Sequence, residues 1–302
     1  MTAYHIPVLL QESIEALLLK PEGVYVDATF GGGGHSRAIL ERLGPKGRLI
    51  AFDKDTDALA QAPADKRLIL VHNNFRFVHN FVRYHGYPQV DGILADLGVS
   101  SHQFDTGERG FSFRFDAPLD MRMNTRAGRT AADLVNDADE KDLERIFRLY
   151  GEVENSRKAA ALVVKARESA PIRTTGDLAR ALESILPKMA EHKYLAKVFQ
   201  ALRIEVNGEL EDLDGFLQGA IRSLKPGGRI AVITYHSLED RLVKNYFKSG
   251  NATGEIQRDL MGRGASPLES VERKPILPRE EEIAGNTRAR SAKLRVARRT
   301  DA

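Results

Sequence analysis

The chain has 302 residues, 42% of them hydrophobic, which is enough to bury one large core or two modest ones. It contains no cysteine, and this excludes disulfides, thiolate metal sites and a cysteine nucleophile. Its formal net charge of +3 permits a polyanionic partner without requiring one. No apolar run approaches the ~18 residues of a membrane span and no signal pattern is visible, so we expect a cytoplasmic protein.

The first predicted elements end in a run of glycines. Residues 5–19 predict a short extended segment and an amphipathic helix, in which His5 is either a packed side chain or a ligand contact. Residues 24–26 have the β-branched and aromatic composition of a short buried strand. Asp27 and the four glycines 31–34 follow, before a helix predicted over residues 36–43.

A strand, a glycine loop and a helix N-terminus together predict a nucleotide-binding corner. Glycine lets the backbone approach a ligand, and the free N–H groups of the helix point toward it. A dinucleotide fingerprint would need a glycine at the sixth position counted from Gly31, where Ser36 stands. The remaining pattern, with Asp27, Gly31 and Gly33, favours the S-adenosylmethionine (AdoMet) loop of methyltransferases, and a flexible turn is the alternative.

Three further strands are predicted, over residues 47–52, 67–71 and 90–95, with a brief helix over 57–62. Strands that alternate with helical patterns predict an open, mostly parallel α/β sheet, whose ligands bind at the carboxyl ends of the strands. Asp53, Phe75 and Asp96 all follow such ends. Asp53 suits a ribose diol, because its carboxylate can accept a hydrogen bond from each hydroxyl.

The next strand, predicted over residues 228–235, follows about 130 residues later, whereas a crossover needs only a dozen or more. We therefore expect an AdoMet-binding domain of residues 1–104 and 206–302, with a mostly helical substrate-recognition domain inserted at 105–205. The insert begins with five arginines and three alternating phenylalanines within residues 106–129. These arginines either contact phosphates or pair with nearby acids, and the phenylalanines either stack a base or form core.

The C-terminal part combines an irregular stretch with a basic one. Residues 249–285 are rich in glycine, proline and charge, which predicts a loop with limited regular structure. Residues 286–299 hold five arginines, one lysine and no acid, and their alternation predicts a final edge strand exposed on one face. Its basic face is either solvated or in contact with nucleic acid.

Seven stretches resemble the motifs of one family, the bacterial ribosomal small-subunit RNA (cytosine-N4)-methyltransferases, called RsmH or MraW. In chain order these stretches are residues 5–10, 27–35, 96–101, 109–113, 118–123, 236–241 and 286–291. They span nearly the whole chain. The resemblance implies a class I AdoMet-dependent methyltransferase fold, which is Rossmann-like, with an inserted helical domain. It also implies methylation of a cytidine amine in the decoding region of 16S rRNA in the small ribosomal subunit.

The resemblance carries AdoMet binding onto seven positions of this chain: Gly33, Gly34, His35, Asp53, Phe75, Asp96 and Gln103. For the substrate we expect contacts from Arg109, Phe111, Arg122 and His236. No metal is expected, and the oligomeric state stays open.

The reaction itself calls for a proton acceptor. A cytosine amine is a poor nucleophile, so an acceptor for its hydrogens should assist transfer, and Asp96 is the predicted catalytic residue. Amine methyltransferases often carry Asp-Pro-Pro and an aromatic at this point, whereas Leu97, Gly98 and Val99 follow here, so the stacking partner is left open. The missing cysteine excludes the covalent route to C5-methylcytosine but permits N- or 2′-O-methylation.

Two other hypotheses stay open at the level of sequence. One is a methyltransferase of the same fold that acts on DNA or a small molecule. The other is an AdoMet-sensing ribosome assembly factor without catalysis. Methyl transfer to ribosomal particles separates both from an rRNA methyltransferase.

Overall fold

The computed structural model describes residues 7–98, 109–125, 128–256 and 264–301. The chain divides into two compact units, with the divisions between Gly98 and Val99 and between Glu209 and Leu210. We call them the sheet unit and the helical unit. Their predicted tasks, AdoMet binding and substrate recognition, stay a prediction.

The sheet unit contains seven strands in the order β3-β2-β1-β4-β5-β7-β6. The pairs from β3 to β5 in this order are all parallel, and the pairs β5-β7 and β7-β6 are antiparallel. The predicted mostly parallel sheet is therefore confirmed. The strands are β1 (Val24–Asp27), β2 (Arg48–Asp53), β3 (Leu68–His72), β4 (Val90–Asp96), β5 (Leu224–Thr234), β6 (Leu268–Ser270) and β7 (Lys293–Arg299).

Helices cover both faces of this sheet. The four N-terminal ones are α1 (Leu10–Ala16), α2 (Gly34–Arg42), α3 (Thr56–Leu59) and α4 (Val78–Tyr84), with a 3₁₀ turn at Phe75–Phe77 before α4. One buried cluster joins the sheet to α4 and to two later helices, α10 (Glu209–Ser223) and α11 (Ser237–Ser249). A second cluster joins the opposite face to α1 and α2. Because both faces are buried, the central strands are almost continuously apolar.

Two strands differ from the sequence-based expectation. β5 begins at Leu224, four residues before the predicted start at residue 228, and its register with β4 shifts between Val90 and Gly92. The prediction that the final strand is an edge is wrong, because β7 lies between β5 and β6. Its basic residues are partly paired, since Arg295 binds Asp240 and Arg298 binds Glu269.

The helical unit is held together by its own core. Its helices are α5 (Ala131–Asp137), α6 (Glu140–Gly151), α7 (Ser156–Ser169), α8 (Thr175–Leu182) and α9 (Glu191–Asn207). Thr130 and Thr174 form capping boxes at the starts of α5 and α8. A short helix, α12 (Glu280–Gly285), belongs to the sheet unit. Within the described residues, no helix is both long enough and apolar enough to cross a bilayer.

Candidate active site

The glycine run forms a tight turn between β1 and α2. Gly33 precedes the helix with a φ of +73°, in the left-handed region that glycine adopts without strain. A Cβ there would lie 2.7 Å from the Phe30 ring, and one at Gly34 would collide with Pro7. A Cβ at Gly32 would meet no atom within 4 Å, so the backbone is open to a ligand there. The positive end of the α2 dipole lies at this turn.

Asp27 fixes the turn from its buried side. Its Oδ1 accepts a hydrogen bond from the Thr29 N–H (3.1 Å), and its Oδ2 accepts one from the Ser36 hydroxyl (2.6 Å). Burial raises the pKa of Asp27 to about 7, although both hydrogen bonds favour the ionised form. Since its side chain is 1% exposed, this carboxyl ties β1 to α2 and has a structural role.

Asp53 is held at the tip of β2, next to the same turn. Its Oδ2 accepts from the Gly31 N–H and its Oδ1 from the Asp55 N–H, both at 2.8 Å. Burial raises the pKa of Asp53 against the effect of these hydrogen bonds. Each oxygen keeps a lone pair for a further donor, which is what a ribose diol supplies. The two backbone contacts therefore fix the direction in which Asp53 can receive a ligand.

His35 is a buried, neutral side chain of α2. Its Nε2 lies 3.2 Å from the Val8 carbonyl oxygen, which can only accept, so Nε2 carries the proton of the neutral ring. Burial lowers the pKa of His35 to about 4. Its Nδ1 lies 3.9 Å from Asp96 Oδ2, but a neutral ring does not form an ion pair with that carboxylate. His35 thus packs beneath the glycine turn, next to Asp96, without adding a charge.

Phe75 starts the 3₁₀ turn that follows β3. Its ring is half-buried and meets Phe216 edge-on, with the ring centroids 5.2 Å apart. The Lys54 ammonium lies 5.8 Å from the Phe75 centroid, and it is itself paired with Asp212. An aromatic ring fixed by core packing at a strand tip suits contact with a nucleobase.

Asp96 ends β4 and combines burial with an accessible carboxylate. Its N–H donates to Thr29 Oγ1 (2.7 Å), and its Oδ1 accepts from the Tyr235 hydroxyl (2.7 Å). Burial raises its pKa to about 7, the Tyr235 hydrogen bond opposes this rise, and the charges of Asp27 and Glu239 add to it. The side chain is still 24% exposed, so the carboxyl can exchange protons with its surroundings.

Tyr235 reaches Asp96 from the end of β5. The register places Asp96 opposite Ile233, so Tyr235 lies just beyond the tip of β4. Its N–H donates to Glu239 Oε2 (2.9 Å), and burial and the Asp96 charge raise the pKa of its hydroxyl. A Cβ on Gly98 would lie 3.4 Å from the Tyr235 ring. An aromatic side chain therefore does lie beside the Asp-Leu-Gly stretch, but it comes from another strand.

His236 caps the helix that follows Tyr235. The ring Nδ1 of His236 accepts from the backbone N–H of Glu239 (3.4 Å). The backbone N–H of His236 donates to Glu239 Oε2 (3.4 Å), and the two hydrogen bonds form a capping box. Asp240, one residue further along, is bound by Arg295 and Lys293. These contacts favour a structural role for His236, whose predicted contact with the substrate stays a prediction.

The predicted substrate residues of the helical unit are held mostly by that unit itself. Arg109 donates to the carbonyl oxygens of Arg122 (2.9 Å) and Met123 (3.2 Å). Two nitrogens of Arg122 bind the two oxygens of Asp120, each at 2.8 Å. These are the contacts of arginines that brace a loop, and the pairing of Arg122 with Asp120 was one of the two expectations.

The three phenylalanines of this segment differ in exposure. Phe111 is 7% exposed and lies in the core of the helical unit. Phe113 packs edge-on against Phe199, with 5.3 Å between the ring centroids. Phe115 is 59% exposed. The open ring face that a stacked base needs is therefore found on Phe115, whereas the predicted residue, Phe111, has little surface to offer.

Gln103, the seventh predicted AdoMet residue, lies outside the described residues, as do His5 and Arg126. Sequence reasoning missed Tyr235 and Thr29. The signal for Tyr235 was its place at the tip of a predicted strand, directly before His236. Thr29 gave no signal, because only the fold brings its hydroxyl to the Asp96 N–H, 67 residues away in the chain.

A glycine turn at a helix N-terminus, a carboxylate with free lone pairs at the β2 tip and an aromatic ring at the β3 tip fit the parts of AdoMet. Their chemistry suits its amino-acid moiety, ribose and adenine in turn, and that these residues bind it stays a prediction. With the β4 carboxylate on a Rossmann-like sheet, they define a class I methyltransferase.

The family is shown by comparison of the sequence with known proteins. The chain belongs to the MraW methylase family, which matches residues 2–300. It is 56% identical over 297 residues to a Parabacteroides distasonis protein named ribosomal RNA small subunit methyltransferase H, covering 98% of this chain and 97% of the relative. Proteins of the same name from Bacteroides fragilis and Flavobacterium johnsoniae are 57% and 54% identical, over 98% and 97% of this chain and 97% of each relative.

Proposed function

We propose that this methyltransferase transfers a methyl group from AdoMet to the N4 amine of a cytidine in the decoding region of 16S rRNA. Family membership and the names of the relatives support a small-subunit rRNA substrate. The amine and its position in the RNA are supported by the motif resemblance. The observation that carries the chemistry is the Asp96 carboxylate, held by Tyr235 with a pKa near 7.

In this proposal the cofactor is bound along the carboxyl ends of β1 to β4. Gly33 and Gly34 supply backbone N–H groups at the α2 N-terminus, and His35 supplies an uncharged side chain next to them. Asp53 supplies the acceptors for the ribose, and Phe75 supplies an apolar ring. Gln103 belongs to the same set by resemblance. Bound AdoMet would supply an electrophilic methyl group.

The chain's own contribution is to hold the amine and remove its proton. Tyr235 occupies Asp96 Oδ1, which leaves Oδ2 as the acceptor for an amine hydrogen. Because burial raises the pKa of this carboxyl to about 7, its ionised form can take a proton that the amine loses during transfer. No cysteine is available for attack at C6, so a covalent route to C5-methylation is excluded.

The substrate side of the proposal assigns RNA recognition to the helical unit. Arg109 and Arg122 brace the segment that presents the exposed Phe115 ring, which is a candidate to stack the target base. An rRNA substrate within the small subunit would place the reaction in the cytoplasm.

The test is methyl transfer to defined substrates. The protein is incubated with methyl-labelled AdoMet and unmodified small subunits, free 16S rRNA, DNA or cytidine, and the labelled nucleotide is mapped. We expect one labelled N4-methylcytidine in the decoding region. Label on ribose, on DNA or on free nucleoside would replace the proposed substrate. AdoMet binding without transfer to any substrate would favour a non-catalytic assembly factor.

A further inference from the structure

One stretch of the sheet unit, which includes Phe75 beside the active site and continues away from it, has the composition of an RNA-binding surface. Residues 66–90 contain four Lys or Arg, three His, five Phe or Tyr and no Asp or Glu. This stretch includes β3, the 3₁₀ turn and α4. Basic residues interleaved with aromatic ones are the usual composition of surfaces that bind single-stranded nucleic acid.

Two aromatic rings of this stretch point away from the core. Tyr84 is 81% exposed and Phe77 is 44% exposed. They stand seven positions apart, which places them on one side of the 3₁₀ turn and α4. Tyr84 meets His85 and Phe81 edge-on, with centroid distances of 5.2 and 6.4 Å, so two neighbouring rings hold the Tyr84 ring in place.

Positive charge from two helices converges beside these rings. Arg83 lies on α4 and Arg222 on α10, both are exposed, and no ion pair joins either to another described residue. The helices are in close contact, since a Cβ on Gly219 of α10 would lie 2.9 Å from Val78. Both arginines lie close enough to His79 to act on it, since its pKa is lowered by burial and further by the charges of Arg222 and Arg83.

A third arginine extends the surface toward Phe75. The Arg76 guanidinium lies 5.4 Å from the Phe77 ring centroid, while one of its nitrogens is 3.3 Å from Asp212. Asp212 also binds Lys54, so this one carboxylate is shared between two cations. We define the α4 surface as Arg76, Phe77, Arg83, Tyr84 and Arg222.

We infer that the α4 surface binds an unpaired stretch of the substrate RNA, with Arg83 and Arg222 on phosphates and Tyr84 stacked on a base. The inference rests on the proposed rRNA substrate and adds a second contact area to the one assigned to the helical unit. Exposed, edge-supported rings suit a base that is free of a duplex, because the bases of an A-form helix are stacked on each other. The missing acids suit phosphates better than a mixed-charge protein surface.

The test uses two variants and a matched control. Arg83→Glu removes a phosphate contact and Tyr84→Ala removes a stacking ring. Arg42→Glu reverses an exposed arginine of α2, which packs on the opposite face of the sheet. Binding of a labelled single-stranded RNA from the decoding region is measured over a series of salt concentrations, together with the apparent KM for unmodified small subunits.

We expect Arg83→Glu to weaken RNA binding roughly tenfold and to reduce the slope of log K against log salt by about 0.7 or more. Tyr84→Ala should weaken binding roughly tenfold with an unchanged slope, because stacking releases no counterions. Arg42→Glu should bind RNA like the unchanged protein. AdoMet affinity should stay the same in all three.

RNA binding and KM unchanged in both α4 variants would overturn the inference. So would sedimentation of the unchanged protein as a dimer that Tyr84→Ala dissociates, since the surface would then bind a second copy of the chain. The RNA-binding assay needs no methyl transfer. Normal RNA binding without transfer would therefore refute the proposed function alone, and active transfer with unaltered α4 variants would refute this inference alone.

Discussion

Asp53 and Asp96 stand at the tips of β2 and β4, which lie on either side of β1, yet their surroundings suit them to different tasks. Asp53 accepts hydrogen bonds from two backbone N–H groups, which direct its remaining lone pairs toward a ligand. Asp96 accepts a hydrogen bond from the Tyr235 side chain, and burial raises its pKa to about 7. A carboxylate fixed by the backbone suits binding, whereas one that titrates near neutral pH suits proton transfer.

The role of Tyr235 can be tested through the pH dependence of methyl transfer. Its hydrogen bond favours the ionised form of Asp96, so Tyr235→Phe should raise the Asp96 pKa further and move the acidic limb of the rate profile to higher pH by about 1 unit. The single-turnover rate at saturating AdoMet should fall at pH 7 and recover at high pH.

Tyr246→Phe is the matched control, because the Tyr246 hydroxyl also donates to a carboxylate, Asp214, at 2.6 Å. It should lower the melting temperature without moving the acidic limb. If Tyr235→Phe behaves like this control, Tyr235 contributes to stability and does not position Asp96.

Asp53→Ala should weaken AdoMet binding by tenfold or more, since it removes charge-assisted hydrogen bonds worth ~1.5–3 kcal/mol. Calorimetric titration measures the change, and a melting curve checks that the variant is folded. Asp65→Ala is a suitable control, because that carboxylate pairs with Arg67 before β3. An affinity equal to that of the unchanged protein would remove Asp53 from the cofactor site.

At the scale of elements, the sequence predicted where the strands lie along the chain better than it predicted which strands pair with each other. The apolar runs before Asp53 and Asp96 indicated the strand tips, because buried parallel strands are apolar along their length. The same reasoning wrongly made β7 an edge strand. An alternation of basic and apolar residues does not reveal that Arg295 will pair with Asp240 and Arg298 with Glu269. The contact of Tyr235 with Asp96 spans 139 residues, and it depends on a β4–β5 register that no local pattern encodes.

The loop that begins the helical unit carries the next prediction. Arg122 binds Asp120 through two nitrogens and is partly buried, so Arg122→Ala should destabilise the unit by about 1 kcal/mol. We expect a lower melting temperature, an unchanged salt dependence of RNA binding and only a small change in RNA affinity. Lys at this position would keep the charge but lose the two-point geometry.

The opposite pattern would return Arg122 to the RNA interface. Normal stability with weaker RNA binding and a shallower salt slope would show that Arg122 contacts phosphate. The same measurements on Arg109→Ala serve as a comparison, because Arg109 donates to the backbone of this loop.

At the scale of the whole molecule, the spacing between strands predicted an insertion, because about 130 residues separate two strands that are neighbours in the sheet. What the insertion binds could not be derived in the same way. The exposure of Phe115, against the burial of Phe111, depends on how the helical unit packs. Sequence composition does not specify which of three alternating phenylalanines enters the core.

Buried carboxyls also make the stability of the whole protein depend on pH. The pKa of Asp96 is raised to about 7 in the folded chain, so the stability of its protonated form is fully present below the ordinary pKa near 4 and is lost as pH rises through about 7. Asp96→Asn cannot ionise. It should melt like the unchanged protein at pH 4 and roughly 3 °C or more above it at pH 8.

Melting curves at several pH values measure this difference, with AdoMet omitted. Asp27, whose pKa is also raised to about 7, is present in both proteins, so only its interaction with the Asp96 charge differs between them. An equal difference at pH 4 and pH 8 would show that the Asp96 carboxyl is not desolvated in the folded chain.

The most direct test of the account is the rate of methyl transfer by Asp96→Asn under single-turnover conditions. The assay uses unmodified small subunits and saturating AdoMet, so that a loss of cofactor affinity does not enter the rate. If the carboxylate accepts the amine hydrogen, the rate should fall by about 10²-fold or more, while RNA affinity and the fold are kept. A rate close to that of the unchanged protein would contradict the assignment of Asp96 as the proton acceptor.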